Sequence, residues 1–115
     1  VAHAAPRHDK AETTKLRRDA AAEAKAYHDW VYERTRASEI RIAGKLRTMR
    51  MTADRRDQIL HDVAYSASLL RQRADLYAQD GRIIDNERTN MQNLAAAIQA
   101  ELAGNYGTLD SWQLL

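Results

Sequence analysis

The chain has no cysteine, no phenylalanine, one proline and four glycines in 115 residues. Each shortage excludes something. Without cysteine there is no disulfide, no thiolate metal site and no cysteine nucleophile. With Pro6 as the one proline and Gly44, Gly81, Gly104 and Gly107 as the only glycines, helix breakers are confined to a few places. No stretch approaches the ~20 consecutive apolar residues of a membrane-spanning helix, so no transmembrane span is expected and any membrane association is peripheral. Gly-rich phosphate loops, nucleophile elbows and HExxH patterns are missing too. No catalytic or cofactor-binding residue is assigned, and an enzyme is not expected.

Bulky apolar side chains are also scarce. The hydrophobic fraction is 44%, but 21 of these residues are alanine. Burial stabilises by roughly 25 cal/mol per Å² of apolar surface, so an alanine face contributes much less than a leucine face. A length of 115 residues suits one domain with a thin core. Such a core predicts that the missing burial is found in a partner or in a second copy.

The formal charge of +2 conceals an asymmetry. Residues 1–50 hold 12 Lys/Arg against 7 Asp/Glu, net +5, and residues 51–115 hold 6 against 9, net −3. The basic half mixes both signs along its length, which suits a solvated helix face better than a phosphate-tracking stripe. Nucleic acid is therefore not an expected partner.

What is present is a helix break written twice, 32 residues apart: RMTADRRDQI at 50–59 and RIIDNERTNM at 82–91. The breaks divide the chain into three helices. In the first, Leu16, Ala20, Ala24, Tyr27, Val31, Thr35, Ser38, Ile42, Leu46 and Met49 recur with an eleven-residue period, which keeps a stripe on one face of a nearly straight helix. This helix is expected to run some 35 to 40 residues, roughly 55 Å, with Gly44 as the place for any bend. Thr52 is expected to cap the second helix, whose stripe is Ile59, Val63, Ser66, Leu70, Ala74 and Tyr77, with Leu60, Ala67 and Leu69 alongside. Gly81 supplies the left-handed residue of the next break, and Asp85 is expected to cap a third helix with the stripe Met91, Leu94, Ala95, Ile98 and Leu102. GNYG at 104–107 ends it. Short connections force antiparallel neighbours, so the fold class is all-α, an antiparallel three-helix bundle with a long first helix. The domain plan is a leader over 1–9, one helical domain over 10–107 and an apolar tail over 108–115.

That tail, TLDSWQLL, places Leu109, Trp112, Leu114 and Leu115 within seven residues. Either it folds back to fill the end of the bundle, or it docks onto another subunit. On the first helix, Trp30 lies about 100° from the core stripe and is expected to face a partner. Trp30, Leu109, Trp112, Leu114 and Leu115 are thus the candidate partner-binding residues.

Metal chemistry finds little purchase. With Glu87 set at the twelfth position of a calcium loop, Gly81 and Ile83 fall correctly, but Leu76 and Ala78 occupy the first and third ligand positions. His3, His8, His28 and His61 have no zinc spacing; if Val1 were the mature N-terminus, its amine and His3 would suit Cu²⁺ or Ni²⁺. Apart from that corner case no metal site is assigned. Most carboxylates lie three or four residues from Lys or Arg, as in helical surface ion pairs. The opening VAHAAPRHD contains Ala2, His3 and Ala4 in the A-x-A arrangement of a signal-peptidase neighbourhood, which predicts a periplasmic or secreted bacterial protein.

The segment MTADRRDQI resembles the "LTxxQ" signature of the Spy/CpxP-like periplasmic proteins, with Met51 and Thr52 at the Leu-Thr positions and Arg55 in place of the Gln. The resemblance covers roughly residues 42–102. It implies an exported helical hairpin protein that dimerises and binds client or partner proteins without a cofactor. The expected function is accordingly a non-enzymatic exported interaction or structural protein, binding a partner subunit or itself through the first helix and the tail. Two alternatives remain: an envelope-stress chaperone or metal-stress sensor of the Spy/CpxP kind, and a helix-turn-helix nucleic-acid binder built on the turn at Asp80 and Gly81. The second is opposed by Asp85 and Glu87, which open the helix that would enter the groove.

Overall fold

The computed structural model describes residues 10–109 and 112–115. The expected 1–9 leader with His3, and positions 110 and 111 of the tail, lie outside the described residues. Three helices follow one another: α1 Lys10–Arg47, α2 Ala53–Ala78 and α3 Asp85–Asn105, then a single 3-10 turn at Gly107–Leu109 and the end of the tail. The all-α, three-helix expectation holds, and no strand occurs among the described residues.

The 38 residues of α1 run unbroken through Gly44, because the eleven-residue period keeps its apolar stripe pointing one way. Ala24, Thr35 and Leu46 are successive buried repeats, as are Val31 and Ile42. Leu16 departs from the expectation and is 53% exposed. The reason lies in the neighbours. His28 meets Asp75 near the end of α2 and Glu23 meets Arg88 near the start of α3, so the α2 to α3 turn lies level with the residues around Glu23. The first turns of α1 project past that end, and no described residue of α1 before Ala24 is buried.

Thr52 caps α2 as its sequence suggests, its hydroxyl accepting from the Arg55 N–H at 3.1 Å. Gly81 adopts φ +67°, the left-handed region that releases the chain from α2. The cap of α3 is not Asp85. Ile84 holds the cap position in extended geometry, and the Glu87 carboxylate accepts the Ile84 N–H at 3.2 Å. The neighbouring Ile83 is buried, so its packing sets the angle of entry and carries Asp85 one step into the helix, where its charge complements the dipole.

Arg56 Nε reaches the Leu46 carbonyl at one end of the α1/α2 pair and His28 meets Asp75 at the other, which fixes the two helices as antiparallel. Arg55 to the Asn105 carbonyl, with Tyr106 to Asp62, does the same for α2 and α3. The shared core holds Val31, Ile42, Leu46, Ile59, Val63, Leu70, Met91, Ile98 and Leu102, and it also takes in Tyr106, Leu109 and Leu114 from the end of the chain. Among the described residues no helix is long and apolar enough to cross a membrane.

Candidate functional site: the groove between the first and third helices

α1 packs on α2, and α2 packs on α3, but no Cα of α3 comes within 8 Å of α1. Helices in full contact lie 8–10 Å apart between their axes. The third side of the bundle is therefore open. The resulting groove has a volume of about 980 Å³.

Each wall follows from the local sequence. α1 contributes Glu23, Ala26, Tyr27 and Trp30, one face of a helix at spacings of three and four. α3 contributes Arg88 and Gln92 and then Ala95, Ala96, Gln99, Ala100 and Ala103, a wall of short side chains. The width is set by that shortness. Gln113, Leu114 and Leu115 bring the tail into the groove.

At one end α1 and α3 are joined by side chains alone. Arg88 pairs with Glu23, and its guanidinium lies 4.9 Å from the centroid of the Tyr27 ring. Burial raises the Tyr27 pKa above the ordinary value, against the lowering effect of Arg88. Tyr27 also stands 5.8 Å from Trp30, so one aromatic wall is continuous. Toward the other end the tail replaces helix contact. Gln99 donates from Nε2 to the Leu109 carbonyl at 2.6 Å, and Arg41 donates to the Gln113 carbonyl at 2.5 Å. One tether comes from α3 and the other from α1, so the tail bridges the two helices at this end and leaves the stretch between Glu23–Trp30 and Arg88–Ala96 open.

The five candidate partner-binding residues fall into two groups. Leu109 and Leu114 are buried, at 1% and 2% exposure, and serve the chain's own core. Trp112 and Leu115 are half-buried against it, with Leu115 on the groove, and Trp30 is 47% exposed. The fold-back of the tail thus uses Leu109 and Leu114 and leaves Trp30 and Leu115 at a common opening.

A polar seam, missed in the sequence, ties the other flank of α1 to α2. Asp75 accepts the Tyr32 hydroxyl at 2.9 Å and lies 2.5 Å from His28 Nε2, while Asp29 lies 3.3 Å from His28 Nδ1. Burial lowers the His28 pKa, but the hydrogen bonds and charges of Asp75 and Asp29 outweigh it and leave it raised. With a carboxylate on each side, the protonated ring donates from both nitrogens. Two turns further along α1, Arg71 donates to the buried Thr35 hydroxyl at 3.0 Å and pairs with Glu39. The seam joins helices and leaves neither imidazole nitrogen free to take a proton from a third group. A search by His-to-His spacing had no means of finding it, because the partner of His28 lies 47 residues away.

No protein-family model, curated protein or solved structure matches the chain.

Proposed function

We propose that this is a non-enzymatic helical interaction protein that binds a partner subunit or a second copy of itself through α1 and the groove bordered by the tail. The observation that carries the reading is the open third side of the bundle. A groove of about 980 Å³ with an aromatic wall at Tyr27 and Trp30 and a small-residue wall on α3 offers the kind of concave, largely apolar surface that a helix or an extended segment fills. The A-x-A pattern at 2–4 and the resemblance to the Spy/CpxP-like proteins support export to the periplasm or beyond.

Photo-crosslinking in the producing cells tests this directly. A benzoylphenylalanine at Trp30 should give one discrete adduct, whereas the same group at Ala64, exposed on α2, should not. Equal labelling from both positions, or none from either, contradicts the reading.

A further inference from the structure

The turns of α1 that wall the groove are also the turns that the polar seam holds. Tyr27 and Trp30 face the groove, while His28 and Tyr32 stand on the other flank of the same helix and meet Asp75 of α2. Burial holds α1 weakly at this level. Among the described residues Ala24 is the one buried residue of α1 before Val31, and Ala74 is the last buried residue of α2. These two alanines, with the half-buried Tyr27 and Tyr77 beside them, remove less apolar surface from water than the layers of Ile, Leu and Val further along. Polar contacts therefore bear more on where this part of α1 lies. From α3 the link is Arg88, through Glu23 and the Tyr27 ring, and from α2 it is Asp75.

His28 has a carboxylate at each ring nitrogen, Asp75 at 2.5 Å from Nε2 and Asp29 at 3.3 Å from Nδ1. The neighbouring charges lie on the same two helices. On α1, Lys25 pairs with Asp29 at 2.6 Å and the Tyr32 ring lies 4.5 Å from the imidazole; on α2, the Arg71 guanidinium stands 5.8 Å from that Tyr32 ring. The protonated imidazole donates to both carboxylates and carries a positive charge against Asp75 across the α1/α2 contact. A neutral ring has one N–H for two carboxylates. Either Nδ1 then turns a lone pair toward Asp29 or Nε2 turns one toward Asp75, and in both cases the charge that draws α1 to Asp75 is gone.

We propose that His28 is a proton-operated clasp on the groove: with the ring protonated, α1 is drawn onto Asp75 and the wall of Tyr27 and Trp30 stands in place; with the ring neutral, that wall loosens and the groove loses its binding form. The inference rests on the reading of the groove as a docking surface and adds its regulation by pH. The two carboxylates favour the proton on the folded ring, so the clasped form is the protonated form. It gives way as pH rises past the ordinary histidine range.

Paired nitroxide labels read the position of the wall. The natural chain has no cysteine, so Ala22→Cys with Asn90→Cys, both exposed and outside the groove lining, labels α1 and α3 alone. The distance between the labels should lengthen from about pH 5.5 to about pH 8.5, with a midpoint that matches the His28 ring titration followed by NMR. In the His28→Asn and Asp75→Asn backgrounds the distance should be the same at both ends of that range. His61→Asn, a change at an exposed histidine of α2, should leave the response intact. A distance that stays constant in the unsubstituted background, or that changes as much in His28→Asn, overturns the clasp. The crosslinker at Trp30 separates the clasp from the docking surface, because its adduct yield in cell extract should fall severalfold over the same range. Equal yield at both ends, with a constant label distance, keeps the docking surface and rejects the clasp; lengthening with no adduct at either end keeps the clasp and rejects the docking surface.

Discussion

His28 is the residue whose ionisation is most tightly bound to the fold. Its pKa is raised above the ordinary value of about 6.5 once folded, so the unfolded chain gives up this proton first as pH climbs. The stabilisation is complete below about pH 6.5 and disappears as pH rises through the folded pKa. The His28→Asn protein should therefore be less stable than the natural chain at pH 5.5 by no more than about 1 kcal/mol, since Asp75 is partly exposed and screened. The gap should close toward pH 8.5, and urea denaturation at several pH values measures it. Arg71 is a different case. Its bonds to Thr35 and Glu39 span α1 and α2 at a half-buried site, so Arg71→Ala should cost about 1–2 kcal/mol at neutral pH, and also lose stem packing. At this scale the sequence is legible only locally. The Lys25–Asp29 pair at i,i+4 follows from helix geometry alone, whereas the contacts of His28, Arg71 and Arg88 depend on the register of helices docked after folding.

Among the elements, the tail bears most on the fold, although it has the least regular structure. Leu109 and Leu114 add two large side chains to a core otherwise limited by alanine, and two side-chain to backbone bonds hold the segment. Leu114→Ala should destabilise by about 2–3 kcal/mol, toward the lower end of the range for buried leucines because a terminal segment can settle into the space left. Thr52→Ala should cost about 1 kcal/mol by removing the cap of α2. Guanidinium unfolding of both variants provides the check. Three helices, their stripes and two of their stops were readable because period, Thr52 and Gly81 each have a local cause. Asp85 misled, since a capping side chain one residue too far along looks the same in sequence, and the burial of Ile83 decides the position. Leu16 misled for a longer-range reason: its periodicity is that of a core residue, but the neighbouring helices turn back before reaching it.

At the scale of the whole molecule, α1 is longer than the body that supports it. Principal extents of 77 × 20 × 18 Å describe a rod, and the rod has an open side. Composition anticipated this in general terms, because a chain with so much alanine and no phenylalanine has little with which to close its own core. It had no way to indicate that the deficit would appear as a gap between α1 and α3. No described residue of α1 before Ala24 is buried, so residues 10–22 should be the least protected part of α1. Amide hydrogen exchange along α1 at low and high protein concentration is the most direct measurement. Residues 23–30, whose Tyr27 and Trp30 wall the groove, should gain protection as concentration rises or when extract of the producing cells is added, with residues 31–46 protected throughout. Unchanged exchange of residues 23–30 under both conditions would contradict a groove that binds a partner or a second copy.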